Sequence, residues 1–95
     1  GAICAFITAS TCVKPKYLGK PFTETLDFVT GYLGCSRNDL VFVGDRLYTD
    51  IAIGANHGVT SVLVLTGETG AADVETSKVK PDFIFNRLVD LVEYI

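Results

Sequence analysis

The short apolar run from Leu40 to Val43, which ends in Gly44-Asp45, constrains the fold of this chain more than any other feature. A half-buried antiparallel strand would alternate apolar and polar residues, whereas a continuously apolar strand is typical of a parallel sheet covered on both faces. Polar chemistry is then expected where the strand ends, because open α/β sheets bind ligands at the carboxyl ends of their strands. The run therefore predicts a parallel sheet with a ligand site just beyond Val43.

Two carboxylates, Asp45 and Asp50, follow this strand closely. We expect Gly44 to let the backbone turn sharply, so that Asp45 projects from the sheet edge, where a hard cation with oxygen ligands such as magnesium can bind. Thr49 is expected to cap the next helix and Asp50 to lie in its first turn, at the positive end of the helix dipole. Acidic residues are common in first turns, so the pair, rather than Asp50 alone, indicates a metal site.

A lysine on a stiff turn precedes this element, in the tripeptide Gly19-Lys20-Pro21. Pro21 fixes its own φ and restricts Lys20 to extended conformations, so the ammonium group is aimed in one direction. A positioned lysine beside carboxylates can hold a phosphate and offset charge during phosphoryl transfer. The alternative interpretation is an ordinary solvated loop lysine.

Together, these two stretches resemble the third and fourth motifs of haloacid dehalogenase (HAD) superfamily phosphatases, and more narrowly of the NagD-like or p-nitrophenyl phosphatase branch. The resemblance covers residues 17–65 and continues more weakly to the C-terminus. It implies a three-layer α/β/α, Rossmann-like parallel sheet, of which this chain holds a part. It also implies that Lys20 is the catalytic charge stabiliser, that Asp45 is a Mg²⁺ ligand, and that Asp50 is the second acid, with a catalytic and a metal-supporting role.

The chain departs from this family in one respect: it contains no Asp-x-Asp-x-Thr motif, which supplies the family's nucleophile. The leading hypothesis is therefore a fragment of a Mg²⁺-dependent phosphomonoester hydrolase that acts on a small phosphorylated metabolite. An alternative is a non-catalytic binding or regulatory module with a remnant acidic site. A receiver-like phosphoacceptor domain is less favoured, because its Lys-Pro turn follows the acidic strands, whereas here the turn precedes them.

We expect residues 1–95 to form a single α/β unit, the C-terminal part of a HAD-like core, with 1–14 as the segment that leaves the cap domain. A start at Gly1 rather than Met fits a fragment or a processed chain. In the family, the nucleophile strand pairs beside Leu40–Val43, so its absence would leave an open apolar edge. The expected partner is therefore the remainder of the enzyme or a second copy.

Composition excludes several other classes of protein. The net charge of −3 argues against a nucleic-acid partner, which requires a basic surface. No apolar run is long enough to span a membrane, so a cytoplasmic location is the default expectation. Cys4, Cys12 and Cys35 are odd in number and irregularly spaced, which indicates free thiols. His57, just before Gly58, is expected to act at a helix end rather than in catalysis.

Alternating periodicities predict the remaining elements. Helices are expected over the first residues, over Thr23–Leu33 with Gly34 as its stop, over Tyr48–His57, around Ala71–Glu75 and over Arg87–Ile95. Strands are expected near Lys16–Leu18, over Thr60–Leu65 and over Asp82–Phe85, in addition to Leu40–Val43.

Overall fold

The computed structural model describes residues 1–95 and alternates helices with strands. The elements are α1 (Ala2–Thr11), α2 (Thr23–Leu33), β1 (Val41–Gly44), α3 (Ala52–His57), β2 (Thr60–Val64), α4 (Ala71–Thr76) and β3 (Phe83–Phe85). Two 3₁₀ segments, Arg37–Asp39 and Leu88–Tyr94, and a wide π-type turn, Leu47–Ile51, complete the chain. No helix is both long and apolar enough to cross a bilayer.

The three strands form one sheet in the order β1-β2-β3, and both pairs are parallel. Val43 lies beside Val62, which lies beside Phe83, so these three side chains share one face of the sheet. A parallel sheet connected through helices is the predicted α/β fold class, and this prediction is confirmed. The carboxyl ends of β1 and β2 meet at one edge, as the parallel arrangement requires.

One face of the sheet carries the core, in two apolar clusters. The first joins Leu26 of α2 to Ile53 and Val59, and the second joins Leu47, Ile51 and Leu63. Leu26, Ile51, Ile53 and Leu63 are all fully buried. The turn and helix that follow β1 are therefore held firmly against the sheet, which fixes the backbone position of the residues they carry.

The opposite face is largely uncovered, and we call it the open face. Val41 and Val43 on β1 and Phe83 on β3 are 56%, 39% and 57% exposed, so the third layer of the predicted fold is represented only in part. The C-terminal 3₁₀ segment reaches this face at its edge, where Tyr94 packs on Phe85 with ring centroids 5.3 Å apart. An exposed apolar surface of this kind is typical of a contact site for another protein segment or for a ligand.

Several local predictions were wrong or incomplete. Lys16–Leu18 is irregular rather than a strand, because it has no neighbouring strand to pair with and follows Pro15, which has no N–H to donate. Thr49 caps no helix, since the chain enters the wide turn at Leu47 and Thr49 lies inside it. The last segment is 3₁₀ rather than α-helical.

The predicted bounds of α2 are confirmed, whereas its apolar residues, spaced to lie on one helix face, are only partly buried. The helix spans Thr23–Leu33 and ends at Gly34, which has the positive φ of 65° expected of a helix stop. Leu26 is buried, but Leu33 remains 59% exposed. The periodicity identified an apolar face but did not determine how much of that face is covered.

A side chain also secures the connection between β2 and β3. Asp82 Oδ2 accepts a hydrogen bond of 2.8 Å from the backbone N–H of Ser61, which is only 1% exposed. We expect Asp82→Ala to lower the free energy of unfolding by about 1–3 kcal/mol, because the buried N–H loses its acceptor. Urea unfolding measures this loss, and Asp82→Asn, which keeps an acceptor oxygen, is expected to retain most of the stability; equal losses in both variants would contradict this explanation.

Candidate active site

The predicted lysine and the second predicted acid lie together. Lys20 Nζ donates a hydrogen bond to Asp50 Oδ1 and forms an ion pair with it. The Asp50 side chain is only 10% exposed and lies in the wide turn Leu47–Ile51, whereas the Lys20 side chain is 46% exposed. An ammonium group has three N–H donors, so Lys20 retains donors for a second anion from solvent.

Gly44 provides the space that Asp50 occupies. A side chain at residue 44 would overlap Cβ, Cγ and Oδ2 of Asp50, so the carboxylate packs directly against the last backbone unit of β1. The chain bends at Asp45, directly after Gly44, although Gly44 is not among the glycines with positive φ, which are Gly19, Gly34 and Gly58. The residue is needed because it has no side chain, and this absence brings Asp50 to the strand end beside Asp45.

Asp45, the predicted metal ligand, is held by the loop after β2. Its Oδ2 atom accepts a hydrogen bond of 2.9 Å from the backbone N–H of Glu68. A side chain at Gly67 would overlap the same carboxylate, so this loop also approaches Asp45 closely because of a glycine. The bond leaves Oδ1 of Asp45 available, and it orients the carboxylate at the carboxyl edge of the sheet.

The Glu68 amide also lowers the pKa of Asp45 below its ordinary value, because the N–H stabilises the ionised carboxylate. A lowered pKa means that the contribution of this bond to stability is present at neutral pH and is lost as the pH falls through the pKa of the folded state. We expect the Asp45 carboxyl carbon to titrate by NMR below the range of unfolded aspartate. In Glu68→Pro, which lacks the N–H, the midpoint should rise; an unchanged midpoint would rule out this cause.

A second set of side chains surrounds the entrance to this edge of the sheet. The Tyr48 hydroxyl donates to Glu68, 2.9 Å from Oε2, and Arg46 Nε lies 3.3 Å from the same oxygen. The bond to Glu68 raises the pKa of Tyr48, because ionisation would remove the donor and place two negative charges together. Sequence reasoning missed Glu68; the only signal was the Thr66-Gly67 turn directly after a buried strand.

Two carboxylates at this edge are too few for a metal ion whose ligands all come from the protein, but they are enough for a magnesium ion. The structure contains no group of three or more His, Cys, Asp or Glu side chains arranged to bind a metal. Magnesium typically uses one or two carboxylates and takes its remaining ligands from water and phosphate oxygens. Asp45, whose Oδ1 atom makes no hydrogen bond, and Asp50 are the two carboxylates at this edge that could serve in this way.

The fold and the site define a class: a parallel α/β domain with a lysine and two carboxylates at the carboxyl ends of its strands. Residues 17–91 match the family described as HAD-hydrolase-like. The chain therefore belongs to that family.

Solved structures and curated relatives agree with this assignment. The structure is similar to that of 4-nitrophenylphosphatase from Thermotoga maritima, with 45% identity and a TM-score of 0.84 over 98% of this chain and 36% of the other. It is also similar to NagD from E. coli K-12, with 32% identity and a TM-score of 0.80 over 90% of this chain and 34% of the other. Phosphoglycolate phosphatase 1A from Arabidopsis thaliana is 34% identical over 97% of this chain and 26% of its own length. The predicted resemblance to the NagD-like and p-nitrophenyl phosphatase branch is confirmed, and the chain spans about a quarter to a third of these relatives.

Proposed function

We propose that this chain supplies the lysine and metal-binding half of a Mg²⁺-dependent phosphomonoester hydrolase that acts on a small phosphorylated metabolite. The observation that carries the proposal is the ion pair between Lys20 and the buried Asp50 at the strand edge that also holds Asp45. Relatives of the chain are phosphatases, and HAD phosphatases generally use Mg²⁺. We also propose that the protein is located in the cytoplasm.

Each residue has a distinct role in this proposal. Asp45 and Asp50 would hold Mg²⁺, which when bound neutralises charge on the phosphoryl oxygens. Lys20 donates one N–H to Asp50 and has further N–H groups for a phosphoryl oxygen, whose negative charge its ammonium group would offset. The Glu68 N–H keeps Asp45 ionised and fixed in orientation before substrate arrives.

The proposal requires a nucleophile from outside these residues, and β1 offers a place for the segment that carries it. β1 is an edge strand whose backbone pairs only with β2, and its Val41 and Val43 side chains are exposed. A further parallel strand from the remainder of the enzyme, or from a second copy, would pair there and bring its own carboxyl end beside Asp45. Such a strand would also cover part of the open face.

A chimera tests the proposed function. The 95 residues replace the matching 36% of the Thermotoga maritima 4-nitrophenylphosphatase, which supplies the rest of the fold. We expect this chimera to hydrolyse p-nitrophenyl phosphate with Mg²⁺, and we expect Asp45→Asn to abolish turnover. The isolated 95-residue chain is expected to show no turnover. A folded, monodisperse chimera without activity would refute the proposal and favour the alternative of a non-catalytic binding module.

A further inference from the structure

The ring of His57 contacts the turn that carries Lys20. His57 Nε2 lies 2.9 Å from the carbonyl oxygen of Pro21, across 36 residues of sequence. A carbonyl oxygen only accepts, so Nε2 must carry the hydrogen and donate it. Both the Nε2–H tautomer and the imidazolium form have this donor. His57 is the last residue of α3, as the sequence predicted, and its ring in addition donates to the turn that carries Lys20.

Only two side-chain hydrogen bonds join the turn Gly19–Phe22 to the rest of the site. One runs from Lys20 to Asp50, and the other runs from His57 to Pro21. Two further hydrogen bonds of this turn join backbone atoms: one is internal, from the Phe22 N–H to the Gly19 carbonyl, and one leads into α2, from the Thr25 N–H to the Phe22 carbonyl. With Lys20 46% exposed, the direction of its ammonium group depends on how firmly the adjoining backbone is held.

Helix α3 connects these two attachment points. Asp50 lies in the turn that leads into the helix, and His57 is its last residue. Ala52, Ile53 and Gly54 between them are buried against the sheet. A short buried helix is rigid, at 1.5 Å rise per residue, so it fixes the separation between the Asp50 carboxylate and the His57 ring.

We propose that His57 is a positioning residue for Lys20: by holding the Pro21 carbonyl against the end of α3, it fixes the direction of the ammonium group beside Asp50. The role of that direction in phosphoryl transfer rests on the function proposed above. His57 itself does not contact the phosphate. It acts through the backbone that adjoins Lys20.

Two variants of similar size test whether the hydrogen bond from residue 57 to the Pro21 carbonyl positions Lys20. The amide nitrogen of Gln extends about as far as Nε2 of histidine, whereas Asn is one methylene shorter and ends near the position of Nδ1. We therefore expect His57→Gln to restore the bond to Pro21 and His57→Asn to lose it. Both variants are uncharged and keep a polar residue at the helix end, so the comparison isolates the hydrogen bond.

The first measurement uses NMR on the 95-residue chain. Ring ¹⁵N shifts should show a protonated Nε2 in the unmodified chain. The ¹⁵N–¹H signal of the Lys20 ammonium group should persist in His57→Gln and broaden in His57→Asn. Equal ammonium signals in the two variants would overturn the proposal. So would a His57→Asn chain that is unfolded by circular dichroism while His57→Gln is folded, because the bond would then serve the fold.

The second measurement uses the phosphatase chimera. We expect kcat for p-nitrophenyl phosphate to fall by about 10- to 100-fold in His57→Asn, because small misplacements of catalytic groups have effects of this size. KM should change little, and His57→Gln should recover most of kcat. An equal loss in both variants would contradict the positioning role. If the chimera is inactive but the ammonium signals differ as expected, the proposed function fails and the positioning of Lys20 by His57 stands.

Discussion

Replacing Lys20 by Met is expected to lower kcat of the phosphatase chimera by about 10²- to 10³-fold, the usual loss when one preorganised charge or donor is removed from a transition state. Asp50, whose side chain is only 10% exposed in the unmodified chain, also loses its counter-charge. Removing the partner of a buried acceptor typically costs about 1–3 kcal/mol of stability. Release of p-nitrophenolate at saturating Mg²⁺ and substrate measures the first effect, and urea unfolding measures the second.

The matched control is Lys78→Met, which removes an exposed lysine that has no hydrogen bond or ion pair in the structure. Lys78→Met should change neither kcat nor the free energy of unfolding. Lys20→Arg should recover stability better than activity, because a planar guanidinium can pair with Asp50 but does not place its charge where an ammonium does. Full activity in Lys20→Met would remove Lys20 from the proposed mechanism.

Gly44→Ala is expected to disrupt the site and the fold together. The added methyl group would overlap the Asp50 side chain, which is held in a buried turn and cannot move aside freely. Overpacking of this kind typically costs about 1–3 kcal/mol, and a displacement near 1 Å in an active site can lower the rate about 10²-fold. We expect both effects, measured by urea unfolding and by chimera turnover.

Gly31→Ala provides the matched control for Gly44→Ala. Gly31 lies within α2, and an added methyl group there has no neighbour within 4 Å. Alanine is favoured over glycine in a helix interior by about 0.5–1 kcal/mol, so this variant should be slightly more stable with unchanged activity. Similar behaviour of the two variants would show that close packing of Asp50 is not the reason for Gly44.

The sequence predicted elements well where a strong local signal was present. Leu40–Val43 is continuously apolar and lies in β1 almost to the residue, and Gly34 ends α2 as a helix-stop glycine should. Lys16–Leu18 has a short apolar pattern too, but a strand also needs a neighbour, which no local pattern supplies. The strand prediction for Lys16–Leu18 was therefore wrong because no other strand lies beside this segment in the fold.

The sequence allowed the charged residues of the candidate site to be predicted, but not the contacts that hold them in position. Lys20, Asp45 and Asp50 stood out only in combination, as a lysine on a stiff turn followed by two acids at the end of an apolar strand. Glu68 acts on Asp45 through its backbone N–H, which every residue except proline possesses, so no side-chain pattern could identify it. The His57 contact likewise joins residues 36 positions apart. Such contacts become visible only when the fold brings the chain together.

The measurement that tests the central claim most directly is a titration of the 95-residue chain with Mn²⁺ as a paramagnetic substitute for Mg²⁺, followed by NMR. If Asp45 and Asp50 form one cation site, amide signals around both residues and at Glu68 should broaden first and saturably. Asp45→Asn should abolish that local effect. Broadening that is scattered over the acidic surface, or that persists unchanged in Asp45→Asn, would contradict a metal site at the carboxyl ends of these strands.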